Sequence, residues 1–213
     1  MKKLFDGIIN FQENEFLKYK DHFTSLERKQ EPHTLFIGCS DSRIDPALIT
    51  KTLPGELFIV RNIANLVPPY RETAEYVATT SAIEYALTVL KVDNIVVCGH
   101  SNCGGCNALW NESLLKNSPH TKKWLELAHP VKKNIENHYN LKTIDLRERE
   151  WITEQFNIVE QMRHLLTYPE VKKRYNNKTL KILGWYYIIE TGDIFNYNSG
   201  NKTFELIRSS ESK

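Results

Sequence analysis

Apolar and polar positions along the chain follow two different periods. Over the first thirty residues Leu4, Ile8 and Phe11, then Phe16, Tyr19, Phe23 and Leu26, recur at helical spacing, interrupted near QENE at 12–15. That spacing predicts one or two amphipathic helices. TLFIG at 34–38 and ELFIVR at 56–61 are short β-rich runs, the second following the turn signal LPGE, and both predict strands. A stretch dense in Ala, Leu and Glu over 73–91 predicts a helix, and the unbroken apolar run DNIVVCG at 93–99 predicts a strand buried on both faces. Helical patterns follow over 122–137 and 145–168, and then two strands, LKILGWYYIIE and GDIFNYN, joined near Thr191 and Gly192. Helices alternating with parallel-type strands place the chain in the α/β class. No repeat or low-complexity segment divides it, so one domain over 1–213 is expected, with a helical arm over about residues 1–30. The apolar faces of the arm suit either the wrapping of a neighbouring subunit or burial within their own.

With 213 residues, of which 41% are apolar and 25% charged, the chain can bury a core without help from disulfides. A net charge of +2 is too small to point to a nucleic-acid or membrane partner. Asp6 and Glu13 interrupt the apolar start, which therefore lacks the core of a signal peptide. No run reaches the roughly 18 apolar residues of a membrane span. Of four cysteines, three fall within 98–106, a clustering that suits thiolate ligands in a reducing cytoplasm better than a disulfide framework. A soluble, cytoplasmic protein is expected.

Cys39 directly follows the run TLFIG, and His100 and Cys103 follow NIVVCG. Ligands collect at the carboxyl ends of strands in an open parallel sheet, so two such ends can converge on one ion. A catalytic zinc typically keeps three protein ligands from Cys, His or carboxylates and one open position; Cys39, His100 and Cys103 supply such a set. Cys106 leaves three readings open: a fourth ligand that closes the site, a redox partner for Cys103, or a side chain packed inward one helical turn further on. Cys98, inside the strand run, reads as a small buried hydrophobe. Asp41 and Arg43 lie just beyond Cys39, where they can form a charge-assisted pair that aims the carboxylate at a water on the metal. Asp41 can equally form an Asx-turn that caps a helix beginning in SRIDPALI.

The pattern C-x-D-x-R at 39–43 with H-x-x-C at 100–103, embedded in PGELFIVRNIANLVPPY, SAIEYAL, LLTYP and GWYY, resembles the β-class carbonic anhydrases of the plant and cyanobacterial branch over most of the chain. The resemblance implies a mainly parallel four-stranded sheet flanked by helices, and assembly as a dimer or tetramer. It implies one Zn2+ per subunit on Cys39, His100 and Cys103, with water or hydroxide in the fourth position, and reversible hydration of CO2 to bicarbonate and a proton. Asp41 and Arg43 take the catalytic positions; Gln30 matches the amide that orients bicarbonate, and Phe58 and Tyr85 match the apolar and phenolic wall of the substrate pocket. Cys106 falls where relatives usually carry an apolar residue. Arg61 and Tyr187 match two members of a non-catalytic bicarbonate pocket found in another branch, but its third position, usually Trp, is Phe36 here. ATTSAIEY departs from the family's usual Gly-Thr-Gly run before the helix. Hydrolysis of a related heterocumulene such as carbon disulfide or carbonyl sulfide, and a non-catalytic bicarbonate-binding zinc protein, are the alternative readings; a scaffold would need neither Asp41 nor Arg43.

Overall fold

Before the sheet comes a helical arm. The computed structural model describes residues 1–75 and 77–208, so the last five residues of the expected domain lie outside it. Helix α1 (Lys2–Asn10) runs through a π-helical turn (Phe11–Glu15), where the interruption was expected, into the single turn α2 (Phe16–Lys18). The break falls at Tyr19, with φ −112° and ψ 17°, before α3 (Lys20–Ser25). No residue of α1 is buried, and Leu4, Phe5, Ile8, Ile9, Phe11 and Leu17 remain exposed. Burial within the same subunit, one of the two expected uses of these faces, is therefore not realised along α1. The end of the arm touches the body, where His22 Nε2 lies 2.7 Å from the Pro54 carbonyl and Leu26 covers Gly55.

Four apolar runs form the parallel centre of the sheet: β1 (Thr34–Cys39), β2 (Leu57–Asn62), β3 (Asn94–His100) and β4 (Lys181–Tyr187), in the order β2-β1-β3-β4. Every residue of β1, and every residue of β3 after Asn94, is buried, the reason both read as unbroken apolar runs. The expected four-stranded sheet is corrected to six strands: β5 (Ile194–Asn198) and β6 (Thr203–Leu206) extend it antiparallel beyond β4. Short turns, with Gly192 at φ 81° and Lys202 at φ 62°, make these links; a parallel neighbour would need a long crossover. β6 is only four residues of alternating exposure, too short to stand out as a pattern.

The crossovers carry the helices. α4 (Pro46–Thr50) links β1 to β2, and α5 (Ala78–Thr88), shorter than the expected 73–91, links β2 to β3. Between β3 and β4 lie α6 (Gly104–Ala108), α7 (Pro119–Leu125), α8 (His129–His138), α9 (Leu146–Leu165) and α10 (Pro169–Asn176). The single helix expected over 122–137 is split by a 3-10 turn (Glu126–Ala128), after which Pro130 sits in the first turn of α8. α9 starts as its sequence dictates, with the Asp145 carboxylate accepting from Glu148 N at 2.8 Å.

Because β1 leads out to β2 on one side and β3 leads on to β4 on the other, a crevice opens at the carboxyl ends of β1 and β3. Helix α9 is seated against β3 and β4 by two glycines. A Cβ on Gly99 would lie 2.7 Å from Ile158 Cγ1, and one on Gly184 would lie 2.5 Å from Met162 Sδ and 2.9 Å from Ile158 Cγ2. Gly184→Ala therefore overpacks the helix–sheet contact and is expected to lower the unfolding free energy by about 1–3 kcal/mol, read from the midpoint of urea denaturation.

Candidate functional site

Cys39 ends β1 and His100 ends β3, on neighbouring parallel strands. Cys103 follows after a turn in which Asn102 adopts φ 55°, and it forms the N-cap of α6. Ligand atoms of Cys39, His100 and Cys103 all lie within 4.8 Å of one another, and the three residues are buried. Cys106 is buried on α6 but does not join the group, and among the described residues no four-ligand set is assembled. Cys98 packs in a separate apolar cluster with Phe36 and Val96. All four cysteines are free.

The imidazole of His100 is set for one task. Its Nδ1 lies 2.9 Å from the Ser101 carbonyl. A carbonyl only accepts, so Nδ1 carries the hydrogen and Nε2 offers a lone pair. That Nε2 is buried and has no hydrogen-bond partner, a rarity in a folded protein. Hydrogen bonding with Cys103, reinforced by burial, pushes the Cys39 thiol up to about 12. Cys103 is raised well above the usual thiol range by its hydrogen bond with Cys106 and by burial. Two sulfurs and one bare nitrogen, clustered and shielded from water, fit zinc, which accepts this donor set and draws thiols into the thiolate form.

Asp41 stands beside the triad without capping a helix. The cap of α4 is Asp45, whose Oδ1 accepts from Leu48 N at 3.1 Å just ahead of Pro46. Asp41 instead faces Arg43: Oδ1 accepts from Arg43 N at 3.0 Å and from Nε at 2.9 Å, and Oδ2 accepts from Nη2 at 2.7 Å. These bonds hold the Asp41 carboxyl well below the usual carboxylate range. Its Oδ2 lies 3.9 Å from His100 Nε2. Arg61 braces the same segment, donating from Nε to the Cys39 carbonyl at 2.9 Å and from Nη2 to the Asp41 carbonyl at 2.6 Å. Phe36 meets Trp185 edge-on, and Tyr187 packs against the same cluster.

Gln30, Phe58 and Tyr85 are not brought to this triad within one chain. Phe58 pairs with Leu35 while Cys39 pairs with Asn62, four positions on, which puts Phe58 about 13 Å back along the strand. Tyr85 of α5 stacks on Phe58 with ring centroids 5.9 Å apart. Gln30 is exposed in the segment leading into β1, near the amino ends of the parallel strands.

One contact to the triad escaped the sequence reading. Glu154, buried on α9, accepts from Cys103 N at 2.8 Å through Oε1 and from the Tyr186 hydroxyl at 2.7 Å through Oε2. Burial pushes its carboxyl up to about 7. The only trace in the sequence is the helical spacing of Glu154, Asn157, Gln161 and His164, all buried polar residues on one face of α9.

Comparison with known proteins agrees with this geometry. A family model described as carbonic anhydrase matches residues 34–194. A carbonic anhydrase of Helicobacter pylori is 42% identical over 206 residues, covering 95% of this chain and 93% of the relative. The solved β-carbonic anhydrase CcaA superposes with a TM-score of 0.92 at 35% identity, covering 98% of this chain and 92% of that one. One of two tetrameric β-carbonic anhydrases from Sordaria macrospora superposes with a TM-score of 0.77 at 32% identity, covering 91% and 96%. If the triad holds the metal, Cys39→Ser and Cys103→Ser abolish stoichiometric zinc, whereas Cys98→Ala and Cys106→Ala keep one ion per chain, as measured by elemental analysis of the purified protein.

Proposed function

The chain belongs to the β-class carbonic anhydrases, zinc enzymes that hydrate CO2 reversibly to bicarbonate and a proton, and from that premise we propose which of its residues do the work. Cys39, His100 and Cys103 hold the zinc, and Asp41 with Arg43 forms the catalytic pair. The single observation that carries this reading is the bare, buried Nε2 of His100 among two thiols, with an ionised carboxylate oxygen 3.9 Å away.

When bound, zinc acts as a Lewis acid that makes hydroxide available from water near neutral pH. Everything else falls to the chain. Asp41, kept ionised by Arg43, can only accept at Oδ2, so a water beside it turns a hydrogen toward the carboxylate and leaves a lone pair for the carbon of CO2. Arg43 fixes the direction of that acceptor through its two-point grip, and Arg61 holds the backbone on which Asp41 is mounted. A scaffold would have no use for a carboxylate held at this place in this direction.

Gln30, Phe58 and Tyr85 complete the substrate pocket of a second copy. Their distance from the triad of their own chain supports this, as does the unpartnered apolar face of α1, which needs a cover of similar character. We place the enzyme as a dimer, or a tetramer of two such dimers, with residues 1–30 as an arm on the single domain. Four free thiols suit the reducing cytoplasm. Among the described residues no helix is long and apolar enough to cross a membrane.

Asp41→Asn keeps the shape and loses the charge; it is expected to retain zinc and to lower kcat for CO2 hydration by about 100-fold or more, and an unchanged stopped-flow rate would remove Asp41 from the mechanism. Replacing Leu4, Ile8 and Phe11 together by Glu is expected to shift the assembly to smaller species in light scattering and to depress hydration, with the metal content intact.

A further inference from the structure

We propose that Glu154, steadied by Tyr186, is a positioning residue that clamps the Asn102–Cys103 peptide and thereby sets both the zinc affinity and the aim of the Asp41–Arg43 pair. The inference rests on reading Cys103 as a zinc ligand.

One peptide unit carries two bonds, one of them already described. Its N–H, on Cys103, donates to Glu154 Oε1 at 2.8 Å, and its carbonyl, on Asn102, accepts from Arg43 Nη2 at 3.0 Å. The plane is thus gripped from opposite ends by an acidic and a basic side chain. Arg43 Nη2 is also the atom that binds Asp41 Oδ2. A continuous chain of contacts therefore runs from the Tyr186 hydroxyl through Glu154, the peptide and Arg43 to Asp41. Bonds in such a chain polarise one another: a carboxylate on the N–H makes the carbonyl a better acceptor for the guanidinium.

The cost of this arrangement shows that it is specific. Glu154 is only 3% exposed, and both its oxygens are met by neutral donors, a backbone N–H and a phenol. Burying a carboxylate without a cation is unfavourable, and an apolar side chain would pack there more cheaply. Elsewhere on the same face of α9 the polar residues grip another irregular segment: Asn157 Nδ2 donates to the Ala64 carbonyl, and Gln161 Oε1 accepts from Val67 N. Among these bonds only that of Glu154 reaches a proposed metal ligand. The backbone it holds follows Asn102, whose φ of 55° turns the chain out of β3 and aims the Cys103 N–H at α9. Partners of metal ligands that fix their orientation are worth about 10–100-fold in affinity.

The test uses the zinc-loaded protein and its Glu154→Ala, Glu154→Gln and Tyr186→Phe variants. Zinc affinity is read by chelator competition, the thiolate-to-metal absorption after cobalt substitution reports ligand geometry, and thermal unfolding is followed in parallel. Glu154→Ala is expected to weaken zinc by about 10–100-fold and to shift the cobalt band. Glu154→Gln, which keeps a carbonyl oxygen for the Cys103 N–H, restores most of the affinity. Tyr186→Phe, which keeps the ring, weakens zinc by about 3–10-fold and decides the matter should the alanine variant not fold. Wild-type affinity and spectrum in Glu154→Ala, glutamine no better than alanine, or an unchanged Tyr186→Phe overturns the clamp. Zinc absent from the wild type overturns the metal reading and the clamp together, whereas zinc present in the wild type and equally tight in the variants overturns the clamp alone.

Discussion

The parallel pairing of β1 with β3 is the constraint on which the site depends. Cys39 and His100 are 61 positions apart in sequence and meet only because Gly38 pairs with Cys98 in the ladder, which brings the two strand ends level. A slip of one residue in that register would turn the shifted strand's side chains to the opposite face of the sheet, part Cys39 from His100 and destroy the triad. Burial enforces the register. Leu35 and Ile37 of β1 and Ile95 and Val97 of β3 share one core cluster, while Phe36 and Val96 share another on the opposite face. The hydrophobic effect thus specifies the position of a polar centre that itself contributes none of that driving force.

Much of this was legible in the sequence because the chemistry is narrow. Two strand-like runs that each end in a potential ligand restrict the geometry more than composition or charge can, and Cys39, His100 and Cys103 are brought together as that pattern implies. The ambiguity at Asp41 was real in one dimension, since Asp41 and Asp45 both precede the helix that begins at Pro46. Only three-dimensional contacts assign the cap to Asp45 and the arginine fork to Asp41. β6 stayed hidden because four residues of mixed polarity carry no periodic signal. The placement of Gln30, Phe58 and Tyr85 depends on distance through space, which spacing along the chain does not encode.

Glu154 illustrates a different kind of concealment. A glutamate on a long helix ordinarily faces water, and the mixed composition of α9 gave no reason to single out this one. What sets it apart is the two-glycine seat, which lets α9 approach β3 and β4 closely enough for a carboxylate to reach the backbone beyond β3. Packing at Gly99 and Gly184 is in that sense a condition for the polar contacts further along the helix. Apolar fit and site geometry are parts of one arrangement.

The bond between His100 Nδ1 and the Ser101 carbonyl restrains the ring as well as assigning its hydrogen. A ring tethered by its own neighbour cannot swing half a turn without breaking that tether in a buried place, so the bond favours one tautomer and one facing. The ring that faces Cys39 and Cys103 is thus oriented by a bond made one residue along its own chain, so the local backbone and not a distant partner decides which nitrogen is presented.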